Sequence, residues 1–127
     1  MTTKPLSVLV LLVSFFIIGY LGYMNKEKNF SSLNVSSFKE KIESGKFVLI
    51  DVRTMTESIE GSIPETMLLL DFYGENFEKK LNKLDKKRKY LIYCRSGNRS
   101  GQTLSIMQEL GFETAYDLAN GFNVWDS

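Results

Sequence analysis

The sequence predicts an α/β fold: an open, doubly wound parallel sheet of about five strands with helices on both faces, preceded by one transmembrane helix. Three observations support this prediction. Short apolar runs rich in β-forming residues alternate with stretches whose apolar residues recur at helical spacing, as expected when helices connect parallel strands. The apolar runs show no polar alternation, which suits strands buried on both faces. A long uncharged segment precedes all of them.

The transmembrane helix is predicted over 6–24, after an N-terminal tail at 1–5. This segment has no charged residue, and at about 1.5 Å per residue it spans close to the roughly 30 Å of a bilayer's hydrocarbon core. Tyr20 and Tyr23 suit the membrane boundary. A cleaved signal peptide is the alternative, but no A-x-A-like cleavage site follows the segment. We therefore expect a retained single-pass anchor in a lipid bilayer.

The side of the membrane is harder to predict, because Lys4 and the terminal amine face Lys26 and Lys28 across the segment. The short basic start resembles an export signal and favours a domain outside the cytoplasm, with the cytoplasmic side as the alternative. A polar linker is predicted over 25–33, followed by a single domain over 34–127.

The domain opens with a short amphipathic helix over 35–42, which has a serine cap and stops at Gly45. Strands are predicted at 47–50, 67–70, 90–93 and, more weakly, 115–118. Helical patterns cover 76–84 and 102–110, and the second ends at Gly111. Phe122 and Trp125 are interpreted as core anchors of a closing helix.

The composition excludes several kinds of chemistry. The 127 residues include 16 basic and 15 acidic side chains, and this near balance does not indicate a nucleic-acid binder. The chain has no histidine and one cysteine. An internal disulfide, an ordinary zinc site and Cys–His protease chemistry are therefore excluded, and we expect neither a metal nor a cofactor.

That cysteine, Cys94, directly follows the predicted strand 90–93 and precedes a helix. Ligands of open parallel sheets bind beyond the carboxyl ends of the strands, so the thiol is expected at the working edge. Asp51 and Arg53 follow the strand at 47–50 and should open onto the same edge. An ordinary surface ion pair is the alternative for these two residues.

The loop Arg95-Ser96-Gly97-Asn98-Arg99 is small, polar and glycine-bearing. Its backbone can curl and point successive N–H groups inward as a nest for an anion. The positive end of the following helix and the two arginines add to this field, and such surroundings stabilise a thiolate. Cys94 is therefore interpreted as a reactive thiol, although lone cysteines are often inert and buried.

From about Leu33 to Trp125 the chain resembles the rhodanese-like domains. The resemblance is carried by five motifs in the order of that family: Leu49–Arg53, Gly61–Pro64, Cys94–Ser100, Leu110–Phe112, and Asn120–Phe122 with Trp125. Departures are Ser62 in place of a usual histidine, Glu65 and Thr66 in place of the frequent glycine and alanine, and Asn120 in place of a usual glycine. Asparagine tolerates a left-handed backbone better than most residues.

The resemblance implies a sulfurtransferase of the thiosulfate type. Cys94 would attack the outer sulfur of a donor such as thiosulfate, sulfite would leave, and the resulting persulfide would pass its sulfur to cyanide or a thiol. Backbone N–H groups of the substrate-binding loop would cradle that sulfur, while Arg95 and Arg99 would hold the donor or brace the loop. Asp51 would pair with a loop arginine, with Arg53 beside it. The loop residues are Arg95, Ser96, Gly97, Asn98, Arg99 and Ser100.

Two rival functions remain in view. A non-catalytic rhodanese-like docking module is one, and the intact cysteine loop argues against it. A cysteine phosphatase or arsenate reductase is the other, but four residues separate Cys94 from Arg99, whereas those enzymes have five. The basic run 86–89 is interpreted as a solvated turn at the edge opposite Cys94, with attraction to anionic lipid as the alternative.

Overall fold

The computed structural model describes residues 4–24 and 28–126, and it has the predicted architecture. Five parallel strands form one sheet in the order β1-β5-β4-β2-β3. The strands are β1 (Asn29–Leu33), β2 (Phe47–Asp51), β3 (Leu68–Leu69), β4 (Lys89–Tyr93) and β5 (Thr114–Leu118). The helices are α1 (Lys4–Met24), α2 (Val35–Glu43), α3 (Met55–Glu60), α4 (Phe77–Asn82) and α5 (Asn98–Glu109), and a 3₁₀ turn over Gly121–Val124 closes the chain.

Helices cover both faces of the sheet because side chains alternate along each strand. On one face α4 and α5 pack on β2 and β4 through Leu81, Met107, Ile50 and Ile92. On the other face α2 packs on the same strands, with Phe38 fully buried among their alternate residues. The apolar runs of the sequence are thus continuous because each residue meets one core or the other.

The predicted linker is wrong for Asn29–Leu33, which forms β1 at the edge of the sheet. Strand β1 pairs with β5 and, among the described residues, has no strand on its other side. Its outward residues therefore stay exposed, and the sequence of this segment is polar. Residues 25–27 of the predicted linker lie outside the described residues. The division into tail, membrane helix and domain otherwise stays a prediction.

Four local details differ from the sequence prediction. Helix α2 is capped by Asn34, whose side chain accepts from the amide of Ser37, and not by a serine. Helix α3 was not predicted, although Thr54 and Glu57 form a capping box that the sequence shows as T-x-x-E. Strand β3 is only two residues long. The closing segment is a 3₁₀ turn, with Phe122 and Trp125 partly buried against the α2 core.

Helix α1 is long and apolar enough to span a membrane from Pro5 to Met24, with a mean hydropathy of 2.3 and no part of that stretch buried. A signal sequence passes the same test of length and composition. The residues before Lys4 lie outside the described part of the chain. The helix is therefore a candidate for a membrane span.

Candidate functional site

The order of the strands places a crevice between β2 and β4. From β2 the chain continues to β3 on one side, and from β4 it continues to β5 on the other. The connections at the carboxyl ends of these two neighbouring strands diverge, which opens a crevice at that edge. Asp51 ends β2 and Cys94 follows β4, so the predicted residues meet at this point.

Cys94 is fully buried at the base of a loop that curls around its sulfur. The amide of Gly97 donates to Sγ at 3.1 Å, and the amide of Ser100 donates to it at 3.4 Å. Within residues 28–126, these are the two loop amides that contact Sγ. Both lie at the start of α5, whose positive end points at the sulfur. The geometry suits a sulfur that carries negative charge.

Two glycines allow this curl. Gly97 has φ 97°, a left-handed conformation that side chains strain, and it caps the N-terminus of α5. Gly121 has φ 62°, and a Cβ there would lie 2.5 Å from the carbonyl oxygen of Cys94. The 3₁₀ turn can approach the loop this closely only with glycine at that position.

The 3₁₀ turn also fixes the direction of the loop backbone. The amide of Phe122 donates to the carbonyl of Cys94 at 2.8 Å, and the amide of Asn123 donates to the carbonyl of Arg95 at 3.1 Å. Asn120 stands where the rhodanese-like domains that the chain resembles usually have glycine. Its φ is 62°, a left-handed conformation that asparagine tolerates. The two hydrogen bonds from the 3₁₀ turn fix the backbone of Cys94 and Arg95, just ahead of the amides of Gly97 and Ser100 that contact the sulfur.

A buried polar chain runs from the sulfur to β1. The thiol of Cys94 donates to Ser100 Oγ at 3.4 Å, and Ser100 Oγ donates to Asp117 Oδ2 at 2.7 Å. The other oxygen of Asp117 accepts from Ser32 Oγ at 2.5 Å. These roles of Asp117 and Ser32 were not predicted from the sequence, because the pairing of β5 with β4 brings Asp117 beside the loop and the pairing of β1 with β5 adds Ser32.

Asp51 pairs with Arg53 and not with a loop arginine, which corrects the prediction. Arg53 Nη2 lies 2.8 Å from Asp51 Oδ2, and both side chains are almost fully buried, so the pair is not a surface one either. Burial by itself lowers the pKa of Arg53. The hydrogen bond to Asp51 and the charge of Asp51 have a larger combined effect, so the pKa of Arg53 is raised above its ordinary value. The same guanidinium donates to the carbonyl of Gly61 at 2.7 Å and lies over the ring of Phe122. The pair therefore joins β2 to the segment after α3.

The two loop arginines have different surroundings. Arg99 is buried and forms a two-pronged ion pair with Glu57 of α3, at 2.8 and 2.9 Å. Hydrogen bonding by Arg99 lowers the pKa of Glu57 to about 2, although burial opposes the shift. The Arg95 side chain is exposed, and among the described residues it has no hydrogen-bond or ion-pair partner. Arg99 thus braces the loop, and Arg95 is free to meet a ligand.

Two clefts flank Arg95 above the loop. One has a volume of about 200 Å³ and is lined by Arg53, Glu60 and Phe122 with Arg95 itself. The other has a volume of about 330 Å³ and reaches Ser96, Asn98, Arg99 and Tyr73. The predicted loop residues therefore line the crevice or its base. Among residues 4–24 and 28–126, no cluster of side chains could hold a metal ion.

Comparison with known proteins agrees with this architecture. A profile of the rhodanese-like domain family matches residues 34–127. YtwF of Bacillus subtilis, named as a candidate sulfurtransferase, is 35% identical over 95 residues, covering 74% of this chain and 88% of its own. The thiosulfate sulfurtransferase GlpE of Coxiella burnetii is 30% identical, covering 68% and 78%.

Two solved structures share this fold. The crystal structure of a rhodanese-related protein from Thermoplasma volcanium superposes with a TM-score of 0.65 at 27% identity, covering 76% of this chain and 90% of its own. A rhodanese-like domain protein from Staphylococcus aureus superposes with a TM-score of 0.64 at 28% identity.

Proposed function

The chain belongs to the rhodanese-like domain family, whose relatives include named sulfurtransferases, and we propose that it moves sulfane sulfur through a persulfide on Cys94. Thiosulfate is the proposed donor, and cyanide or a small thiol is the proposed acceptor. The observation that carries the proposal is the pair of amides, from Gly97 and Ser100, aimed at a buried sulfur at the start of α5.

The proposed reaction has two displacements. The Cys94 thiolate attacks the outer sulfur of thiosulfate, the sulfur–sulfur bond of the donor breaks, and sulfite leaves with the bonding electrons. The acceptor then attacks the outer sulfur of the persulfide, and Cys94 leaves again as a thiolate. A covalent intermediate divides one difficult transfer into two easier steps. Amides fixed around the sulfur stabilise the negative charge in both.

Other groups of the crevice have proposed roles in binding. The exposed guanidinium of Arg95 attracts the anionic donor, because Arg53 and Arg99 are already committed to carboxylates. Ser96 and Asn98 line the second cleft and present polar atoms there. The amide of Ser100 donates to the sulfur, while its hydroxyl accepts from the thiol and donates to Asp117.

Formation of thiocyanate from thiosulfate and cyanide by the full chain in detergent tests the activity. We expect turnover by the unchanged protein and none by Cys94→Ser, which keeps the size of the side chain. Ser105→Ala, a change at an exposed side chain of α5 outside the loop, is the control and should retain turnover. Absence of turnover with thiosulfate and with a small persulfide donor would leave the docking module as the better interpretation.

We further propose that α1 is a retained membrane anchor that places the domain outside the cytoplasm. The support is the uncharged stretch Pro5–Met24 of α1 and its lack of burial against the domain. The side of the membrane stays a prediction from the basic start of the sequence.

A further inference from the structure

The edge of the sheet opposite Cys94 is the edge at which the chain arrives from α1. The register places Asn29, Phe47, Lys89 and Thr114 in one row at the amino ends of their strands. Helix α1 ends at Met24, and β1 begins at Asn29. Five residue steps cover at most about 18 Å even when fully extended. If α1 spans a bilayer, the amino edge of the sheet must therefore lie near its surface.

That same edge is basic. The residues directly before β1, β2 and β4 are Lys28, Lys46 and Arg88, and all three are exposed. Lys86 and Lys87 in the turn before β4, and Lys89 at the start of β4, add three lysines to them. We call this group the basic edge: Lys28, Lys46, Lys86, Lys87, Arg88 and Lys89. Asp85 and Glu113 lie among these residues, and Glu43 and Glu109 lie at the nearby ends of α2 and α5.

The opposite edge has a different charge. Around the crevice, Arg53 and Arg99 are neutralised by Asp51 and Glu57, and the exposed Arg95 shares a cleft with Glu60. Glu60 and Asp71 follow the carboxyl ends of β2 and β3. Charge is thus distributed so that the positive end of the domain is the one tied closest to α1.

We propose that the basic edge rests on the anionic headgroups of the membrane that α1 spans. Two independent observations support this occupant: the short connection from α1 to β1, and the basic side chains at that edge. Each basic side chain near an anionic surface adds to the attraction. Strand β4 rises about 3.3 Å per residue, so this orientation places Cys94 up to ~17 Å farther from the surface than Lys89, on the side open to water-soluble substrates. The inference depends on the proposed anchoring and not on sulfur transfer.

Lysine acetylation of the full chain in lipid nanodiscs tests the contact. Discs of phosphatidylcholine are compared with discs that also contain phosphatidylglycerol, and each lysine is read by peptide mass spectrometry. We expect Lys46, Lys87 and Lys89 to react roughly fivefold more slowly in the anionic discs, and high salt to abolish the difference. Lys39 of α2, which lies over the ring of Trp125, is the internal control. Its rate of acetylation should be the same in both kinds of disc.

A pair of charge-matched variants sharpens the test. Lys87→Glu with Arg88→Glu should abolish the lipid dependence at Lys46 and Lys89. Lys79→Glu with Lys80→Glu, at exposed positions of α4, makes the same change in net charge and should preserve it. Equal acetylation of Lys46, Lys87 and Lys89 in both kinds of disc would overturn the inference. Failure of the chain to float with the discs would instead overturn the anchoring on which it depends, while thiocyanate formation reports separately on sulfur transfer.

Discussion

At the scale of single residues, Gly121 shows how little space surrounds the loop. A methyl group there would overlap the carbonyl oxygen of Cys94 and the carbonyl of Arg95, and the backbone is left-handed. The hydrogen bonds from Phe122 and Asn123 to those two carbonyls depend on this approach. The residue therefore determines the direction of the amides that face the sulfur.

We expect Gly121→Ala to lower the free energy of unfolding by about 1–3 kcal/mol, because the strained backbone and the displaced loop both destabilise the fold. The rate of thiocyanate formation should also fall, and it should fall further the more the loop is displaced. Chemical denaturation and turnover are the measurements.

Gly101→Ala is the matched control, since a Cβ at that position of α5 meets nothing within 4 Å. It should be neutral or stabilising by about 0.5–1 kcal/mol, as expected for glycine replaced in a helix. Equal effects of the two substitutions would contradict the role assigned to Gly121.

At the scale of secondary structure, α3 and α5 are joined by the ion pair of Glu57 with Arg99. Glu57 also completes the capping box of α3, so one carboxylate both starts a helix and braces the loop. Its pKa is lowered to about 2, and the hydrogen bond from Arg99 is the largest cause. A lowered pKa in the folded state means that the carboxylate stabilises the fold when it is ionised.

The stabilisation of the fold by Glu57 therefore depends on pH. The stabilisation is fully present above the ordinary pKa of 4.5 and is lost as pH falls from there through about 2. We expect Glu57→Gln to be less stable than the unchanged protein at neutral pH. The difference should shrink as pH falls through that window, because the unchanged protein loses the same interaction by protonation.

Thermal unfolding followed at a series of pH values measures this effect. Glu60→Gln, at an exposed position of the same helix, is the charge-matched control and should destabilise the protein less at neutral pH. A stability difference for Glu57→Gln that stays constant down to about pH 2 would show that the ion pair does not stabilise the loop.

At the scale of the whole molecule, the sequence predicts those features that follow from continuous apolar runs and helical spacing. Strands β2, β4 and β5 and helices α2, α4 and α5 were predicted within a few residues, because their side chains fill a core on each face. Edge strand β1 was missed, because pairing on one side leaves it polar. Helix α3 was missed although its capping box is visible in the sequence.

Some residues of the site were likewise predictable from the sequence, and others were not. Cys94, its loop and the buried pair of Asp51 and Arg53 follow strands in sequence, so their place at the carboxyl edge was predictable. The side chains that bind the loop residues were not predictable, because they come from segments distant in the sequence. Glu57 reaches Arg99 from α3, and Asp117 reaches Ser100 from β5. Such pairings depend on tertiary packing and leave no local pattern.

We propose that the loop around Cys94 enables its sulfur to carry a second sulfur atom as a persulfide. Intact mass measurement of the full chain in detergent, after thiosulfate and again after cyanide, tests it most directly. We predict a gain of one sulfur atom that cyanide removes, with no gain for Cys94→Ser. An unchanged mass after thiosulfate and after a small persulfide donor, in a protein whose fold is intact by circular dichroism, would contradict the claim.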